Sequence, residues 1–247
     1  MMKISKLSEY MSYVEGLPSE FSLSRGQSKN YPLLPSALRV DSSGNRRYSK
    51  RVIRNFLEQF KINSYQYMET PWAIKNEIEW MLYAQHYGIP TKLMDFTTSH
   101  VISLLFSVER SFQDDNDDDA VVYFLNPSTL NTKTKEQSQI INISGDEVIN
   151  SEGHDGPFVV QGRKINSRVN AQKGLFVIFQ DDDEALENTS NETILRKIVI
   201  NGEDKKTILS SLYSMGISFT HIYPELSSVA KDILMQQDIA DLAREDK

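Results

Sequence analysis

Two short segments hold most of the side chains suited to chemistry. In SRGQSKNY, residues 24–31, an arginine is followed directly by a glycine. A guanidinium is a planar fork that donates two parallel hydrogen bonds to a phosphate or carboxylate, so Arg25 is a candidate anion reader. Gly26 permits close approach to the backbone. Gln27 should emerge on the same face of an extended segment as Arg25, with Tyr31 and Arg39 following as ligand-binding candidates. In EWMLYAQHYGIPTKLMDFTTSH, residues 79–100, the polar groups Gln85, His86, Tyr87, Thr91, Lys92, Asp95, Thr97, Thr98 and Ser99 crowd a helix end, a Gly-Pro turn and a strand. Ligand-binding loops are commonly placed at such junctions. The His86 imidazole suits a general base or a donor to a phosphate or ribose. Asp95, expected to be buried at the end of a strand, would orient His86 or Arg25, and Glu79 lies two helical turns before His86. Each residue also has a structural reading. His86 would complement a helix C-terminus, Asp95 would cap the next helix, and Arg25 would form an ion pair with Asp95 or Glu79. A third segment, NAQKGLF, places Asn170 and Gln172 ahead of a strong strand, where they line a pocket or end the strand.

The elements that must hold these groups follow from periodicity and punctuation. The pattern predicts an amphipathic helix over 3–15, ending near Gly16, and a half-buried strand in FSLSRGQS. A short helix is expected after Pro35, and a longer one from 46 to about 68. The next helix spans roughly 73–87, closed by Gly88 and Pro90. TKLMDF reads as a strand and SHVISLLFSVERSF as an apolar helix with Ser99 as N-cap. AVVYFLN is a strand, followed by a polar stretch of about 25 residues. PFVVQ is ambiguous, GLFVIFQ is the strongest strand, and 194–200 is another. DKKTILSSLYSMG is a helix stopped by Gly216, FTHIYP a short extended piece, and 225–244 a C-terminal helix. Strands and helices intermingle without βαβ alternation, which predicts an α+β fold: one compact domain over 1–247 with a mixed or antiparallel central sheet flanked by helices.

Composition narrows the function classes. The 247 residues are 39% hydrophobic, enough for a sizeable core, and contain no cysteine, which excludes disulfides and thiol catalysis. No GxGxxG, P-loop, HExxH or GxSxG pattern occurs, and the four histidines lack metal-ligand spacing, so no metal is expected. The apolar runs fall far short of the roughly 20 residues that span a bilayer. A cytoplasmic protein without a membrane partner is expected. The net charge of −7 disfavours bulk binding to nucleic acid. Nine of the acids sit in the runs 114–119 and 181–184, however, which are expected to be solvated loops. A basic face from Arg46, Arg47, Lys50, Arg51 and Arg54, with Lys205 and Lys206, is therefore an alternative.

The segments SRGQSKNYPLLPSALR, AQHYGIPTKLMDFTTSHVISLLFSV, NAQKGLFVIF and KTILSSLYSMGISFTHIYPELSSVAKDI, in that order over about residues 20–235, resemble the FRG domain of bacteria and phages. Three positions depart from the family pattern: Ser24 replaces an aromatic, Lys92 an arginine and Phe96 a tryptophan. The resemblance brings no established activity with it. A fainter similarity, to ADP-ribosyltransferases, rests on Arg25-Gly26 on an early strand and Thr97-Thr98-Ser99 before a helix. It implies that Arg25 holds an NAD phosphate or ribose, that Thr98 or Ser99 braces the nicotinamide ribose, and that His86 assists. Gln172 stands where that scheme needs an acid and cannot take a proton, which leaves Glu79 or Asp95. Three expectations result. One is a nucleotide- or NAD-binding enzyme in bacterial or phage conflict, another a non-catalytic module for a ligand or protein partner, and the third a protein acting on nucleic acid.

Overall fold

The computed structural model describes residues 2–113, 118–144, 156–163 and 174–245. Its strands are β1 (Met2–Ile4), β2 (Leu23–Gln27), β3 (Leu93–Thr97), β4 (Ala120–Leu125), β5 (Ile141–Asn142), β6 (Phe158–Gln161), β7 (Gly174–Ile178) and β8 (Leu195–Ile200). They form one mixed sheet in the order β1-β8-β4-β2-β3-β7-β6-β5. The two outermost pairs, β1 with β8 and β5 with β6, are parallel, and the inner pairs are antiparallel. The helices are α1 (Leu7–Glu15), α2 (Lys50–Ser64), α3 (Glu77–His86), α4 (His100–Val108), α5 (Pro127–Lys135), α6 (Leu186–Thr189), α7 (Lys205–Ser214), α8 (Phe219–Ile222) and α9 (Leu226–Glu245). This is the α+β architecture that the intermingled pattern predicts. Among the described residues no helix is long and apolar enough to cross a membrane.

Strand period two divides the core between the faces of the sheet. Leu23, Met94, Phe96, Val121, Tyr123 and Val177 pack on one face with the Leu33–Leu38 segment. On the other face, Val122 and Phe124 pack against Leu104 and Leu105 of α4 and Ile208 of α7. Leu93, Phe176 and Ile178 cover that face farther along, beneath Leu57 of α2 and Ile78 and Leu82 of α3. The sheet is thus buried on both sides at its centre, and α4 lies directly over β2.

Four local expectations need correction. Residues 2–4 are a strand, not the start of a helix: Ile4 is fully buried beside β8, and three residues are too few to leave a period-two signal. The polar stretch after β4 contains α5, begun by Pro127 and capped by Asn126, whose Oδ1 accepts from the Thr129 amide at 3.0 Å. FTHIYP is a helical turn, because Asp232 of α9 gathers the Phe219 and Thr220 amides at 2.9 and 3.2 Å. Four acids of the two acidic runs form ion pairs as well as facing solvent. Asp118 pairs with Lys29, Asp119 with Lys3, Asp181 with Lys92 and Asp182 with Lys50.

Candidate functional site: a cleft where the sheet parts

β2 joins β4 through five register pairs, but it meets β3 only at Ser24↔Thr97. β3 in turn joins β7 through five pairs. Beyond Ser24 and Thr97 the two central strands have no ladder between them, and their backbone groups there need other partners. A cleft of about 310 Å³ occupies this place, lined by Arg25, Gly26 and Gln27 of β2 and Asp95, Phe96 and Thr97 of β3. Its rim is completed by Tyr31, Arg39, Gly174 and Phe176, and by Phe106, Glu109 and Arg110 from the end of α4.

The groups in the cleft are tied together. Arg25 Nη1 donates to the Asp95 carbonyl oxygen at 2.8 Å, so the guanidinium satisfies a β3 acceptor that no strand reaches. The Asp95 carboxylate accepts from Gln85 Nε2 at 2.9 and 2.8 Å on its two oxygens. Gln85 Oε1 in turn accepts from the buried Thr91 hydroxyl at 2.5 Å. Gln27 Nε2 donates to the Tyr31 carbonyl at 2.8 Å, which fixes the turn carrying the exposed Tyr31 ring. Burial pulls the Arg25 guanidinium below its ordinary pKa; Asp95 opposes that pull, and nearby Arg39 reinforces it. Arg39 and Arg110 are exposed and make no side-chain hydrogen bond or ion pair among the described residues.

Gly26 permits the close backbone approach that its position after Arg25 suggests. A Cβ there would sit 1.8 Å from the Ser103 carbonyl oxygen of α4. The close approach is that of a helix backbone, not of a ligand. Behind it, Ser24 Oγ lies 2.8 Å from both Ser103 Oγ and His100 Nδ1, and desolvation lowers the pKa of His100.

Sequence-chosen residues divide into three groups. Arg25, Gln27, Tyr31, Arg39 and Asp95 line the cleft, and Gln85 and Thr91 stand behind it through hydrogen bonds. Asp95 is exposed in mid-strand, not buried at a strand end, and it does not cap α4. His86, Tyr87, Glu79, Thr98 and Ser99 are not among the lining residues. His86 packs edge-on against the exposed Tyr87 ring. Glu79 is 2% exposed and belongs to the N-terminal turn of α3: it accepts from the Lys75 amide at 2.7 Å and from Arg163 Nε at 2.9 Å. The Ser99 side chain makes no capping bond, while its amide donates to Thr97 Oγ1 at 3.0 Å. Gln172 and Asn170 lie outside the described residues. Sequence reasoning missed Phe106, Glu109 and Arg110; their i, i+3, i+4 spacing, which places them on one helix face, was the available signal.

Residues 22–116 match the family model described as the FRG domain. The chain carries an FRG domain. The match contains β2, α2, α3, β3 and α4, and with them every cleft-lining residue except Gly174 and Phe176. It ends before the GLFVIF and KTILSSLYSMG segments, so the FRG domain as matched covers less of the chain than the motif resemblance does. No curated protein and no solved structure matches the chain.

Proposed function

We propose that the cleft of the FRG domain binds a small phosphate-bearing ligand of the nucleotide class, with NAD and ADP-ribose among the candidates. The observation that carries this reading is the set of three arginines, Arg25, Arg39 and Arg110, around one opening with two of them unpartnered among the described residues. Asp95 and Glu109 line the same opening, but three guanidiniums still outnumber two carboxylates there, and a phosphate among them relieves their mutual repulsion while accepting bidentate bonds. The exposed Tyr31 ring and the half-buried Phe106 ring supply apolar wall for a base. The volume suits a small molecule, since ligand pockets run from about 300 to 1,000 Å³.

Binding, rather than ADP-ribosyl transfer, is the step these residues support. Of the acids proposed to replace the missing one, Glu79 is engaged with Arg163 and the Lys75 amide, and Asp95 is held on both oxygens by Gln85. Thr98 and Ser99 do not line the cleft. The nucleic-acid alternative loses part of its basic face, because Lys205 is 4% exposed, Lys50 pairs with Asp182, and Arg46 donates to the Leu38 and Asp183 carbonyls.

The test is a thermal-shift and calorimetric titration of wild type, Arg39→Ala and Arg110→Ala with NAD, ADP-ribose, ADP and pyrophosphate. Both arginines are exposed, so the unliganded variants should melt like wild type. A ligand at 100 times its Kd should stabilise wild type by about 2.7 kcal/mol, with most of that gain lost in each variant. Failure of all four ligands to bind wild type, or equal stabilisation of wild type and both variants, would sink the reading.

A further inference from the structure

Helix α9 has 20 residues, a length of about 30 Å, and only one side of it packs on the rest of the chain. Ser228, Asp232 and Met235 are buried on that side, against α7 and α8. The opposite side exposes Leu226 at 85%, Ile233 at 63% and Leu234 at 67%. Single exposed apolar side chains are ordinary, but three along one helix make a patch. Leu226, Ala230, Ile233, Gln237, Ala240 and Arg244 are all exposed and follow one another at alternating steps of four and three residues. That alternation lays them in one seam, the pattern by which two helices pack knobs into holes. The spacing reads the same in both directions and is centred at the level of Met235.

We propose that α9 is a homodimerisation surface on which a second copy of this chain pairs antiparallel. A two-fold axis at the level of Met235 maps the seam onto itself, as an isologous interface requires. Leu226 then lies against Arg244 of the second copy, Ala230 against Ala240, and Ile233 against Gln237. The alanines let the helices approach closely, and Ile233 and Leu234 of both copies gather about the axis. Charge chooses the direction. Arg244 at one end of the helix meets Glu225 at the other end of the second copy, twice per dimer. A parallel pair would set like charges together at both ends, and the helix dipoles oppose it as well. Arg244 pairs with Asp241 at 2.7 Å, and Glu225 Oε1 accepts from Ser227 at 2.7 Å, but a guanidinium has five donors and a carboxylate two oxygens. A membrane surface suits this face poorly, because interfacial helices flank their apolar stripe with Lys and Arg, whereas Asp238 and Asp241 stand here. One helix from each copy buries less than the roughly 1,600 Å² of a standard interface, so the dimer belongs to the weak class that dissociates at micromolar concentrations.

The experiment is sedimentation velocity of the full chain over about 1 to 300 µM, the range in which a weak interface titrates. It uses wild type, Ile233→Glu, Arg244→Glu and the double variant Glu225→Arg with Arg244→Glu. Wild type should pass from monomer to dimer across this range. Ile233→Glu should stay monomeric throughout, because the axis brings the two added carboxylates together. Arg244→Glu should weaken dimerisation by about fivefold or more, and the double variant should return to within about threefold of wild type. All three positions are exposed, so every variant should melt near wild type at the lowest concentration. A wild type that stays monomeric or forms larger assemblies overturns the proposal, as does a dimer that survives Ile233→Glu. A dimer that Arg244→Glu leaves unchanged, or that the double variant fails to restore, excludes the antiparallel pairing and overturns it equally.

Discussion

Gly26 is the residue at which the cleft depends most directly on an atom that is missing. Its neighbour Arg25 bridges the parted strands, and α4 sits low enough over β2 for the helix backbone to touch the strand at Gly26. Replacing Gly26 with alanine drives a methyl into the Ser103 carbonyl, with the Ser107 amide 3.0 Å away, so backbone rather than a pliable side chain must move. We expect Gly26→Ala to cost about 3 kcal/mol or more, the upper end of overpacking penalties, in urea unfolding. A loss under about 1 kcal/mol would show that α4 shifts readily and does not set the geometry of the cleft. At this scale the sequence was partly legible. Arg25, Gln85, Thr91 and Asp95 announced themselves as polar residues crowded into two segments. His86 and Glu79 drew attention by the same crowding, but neighbours on a helix point about 100° apart, and here Gln85 turns to Asp95 while His86 packs on Tyr87. Arg110 and Glu109 were hidden because their helix reads as an apolar one.

Short elements owe their conformation to partners distant in sequence, and α8 is the clearest case. Four residues cannot nucleate a stable helix alone. Asp232 of α9 holds this one by accepting from the Phe219 and Thr220 amides and from the Ser218 and Tyr213 hydroxyls, the last two at 2.8 and 2.7 Å. Burial pushes the Asp232 carboxyl up, but those hydrogen bonds outweigh it and hold the group below the usual carboxylate range. A carboxylate depressed on folding contributes stability that is complete above its unfolded pKa and disappears as pH falls through the folded value. Asp232→Asn should therefore be less stable than wild type by about 1–3 kcal/mol near neutral pH. The gap should close as the pH falls below the ordinary carboxylate range, through the depressed folded-state pKa. Parallel denaturation series from neutral to acid pH would check this, and a gap independent of pH would contradict it. The same dependence explains which elements the sequence disclosed. α2, α3, α4 and β7 carry their own periodicity and stop signals, whereas β1, α8 and the two-residue β5 take their shape from β8, Asp232 and β6.

For the whole molecule the parted sheet has a consequence for what can fold. Among the described residues the FRG match at 22–116 contains the strands β2 and β3, and they share a single register pair. Their full ladders run outward, β2 to β4 and β3 to β7, and both of those partners lie beyond residue 116. α4 likewise packs on Val122 and Phe124 of β4 and on Ile208 of α7. A polypeptide restricted to 22–116 would leave both central strands as unpaired edges and expose the apolar faces of α3 and α4, which is an aggregating rather than a folding arrangement. The full chain, by contrast, runs one ladder from β1 to β5 with no break except at the cleft, and we expect it to melt in a single cooperative transition. Expressed alone, residues 22–116 should show no cooperative thermal transition by circular dichroism and no ligand-induced stabilisation. A fragment that melted sharply would mean that β2 and β3 form a different, closed pairing on their own, and the cleft between them would then be a property of the complete sheet rather than of the FRG segment.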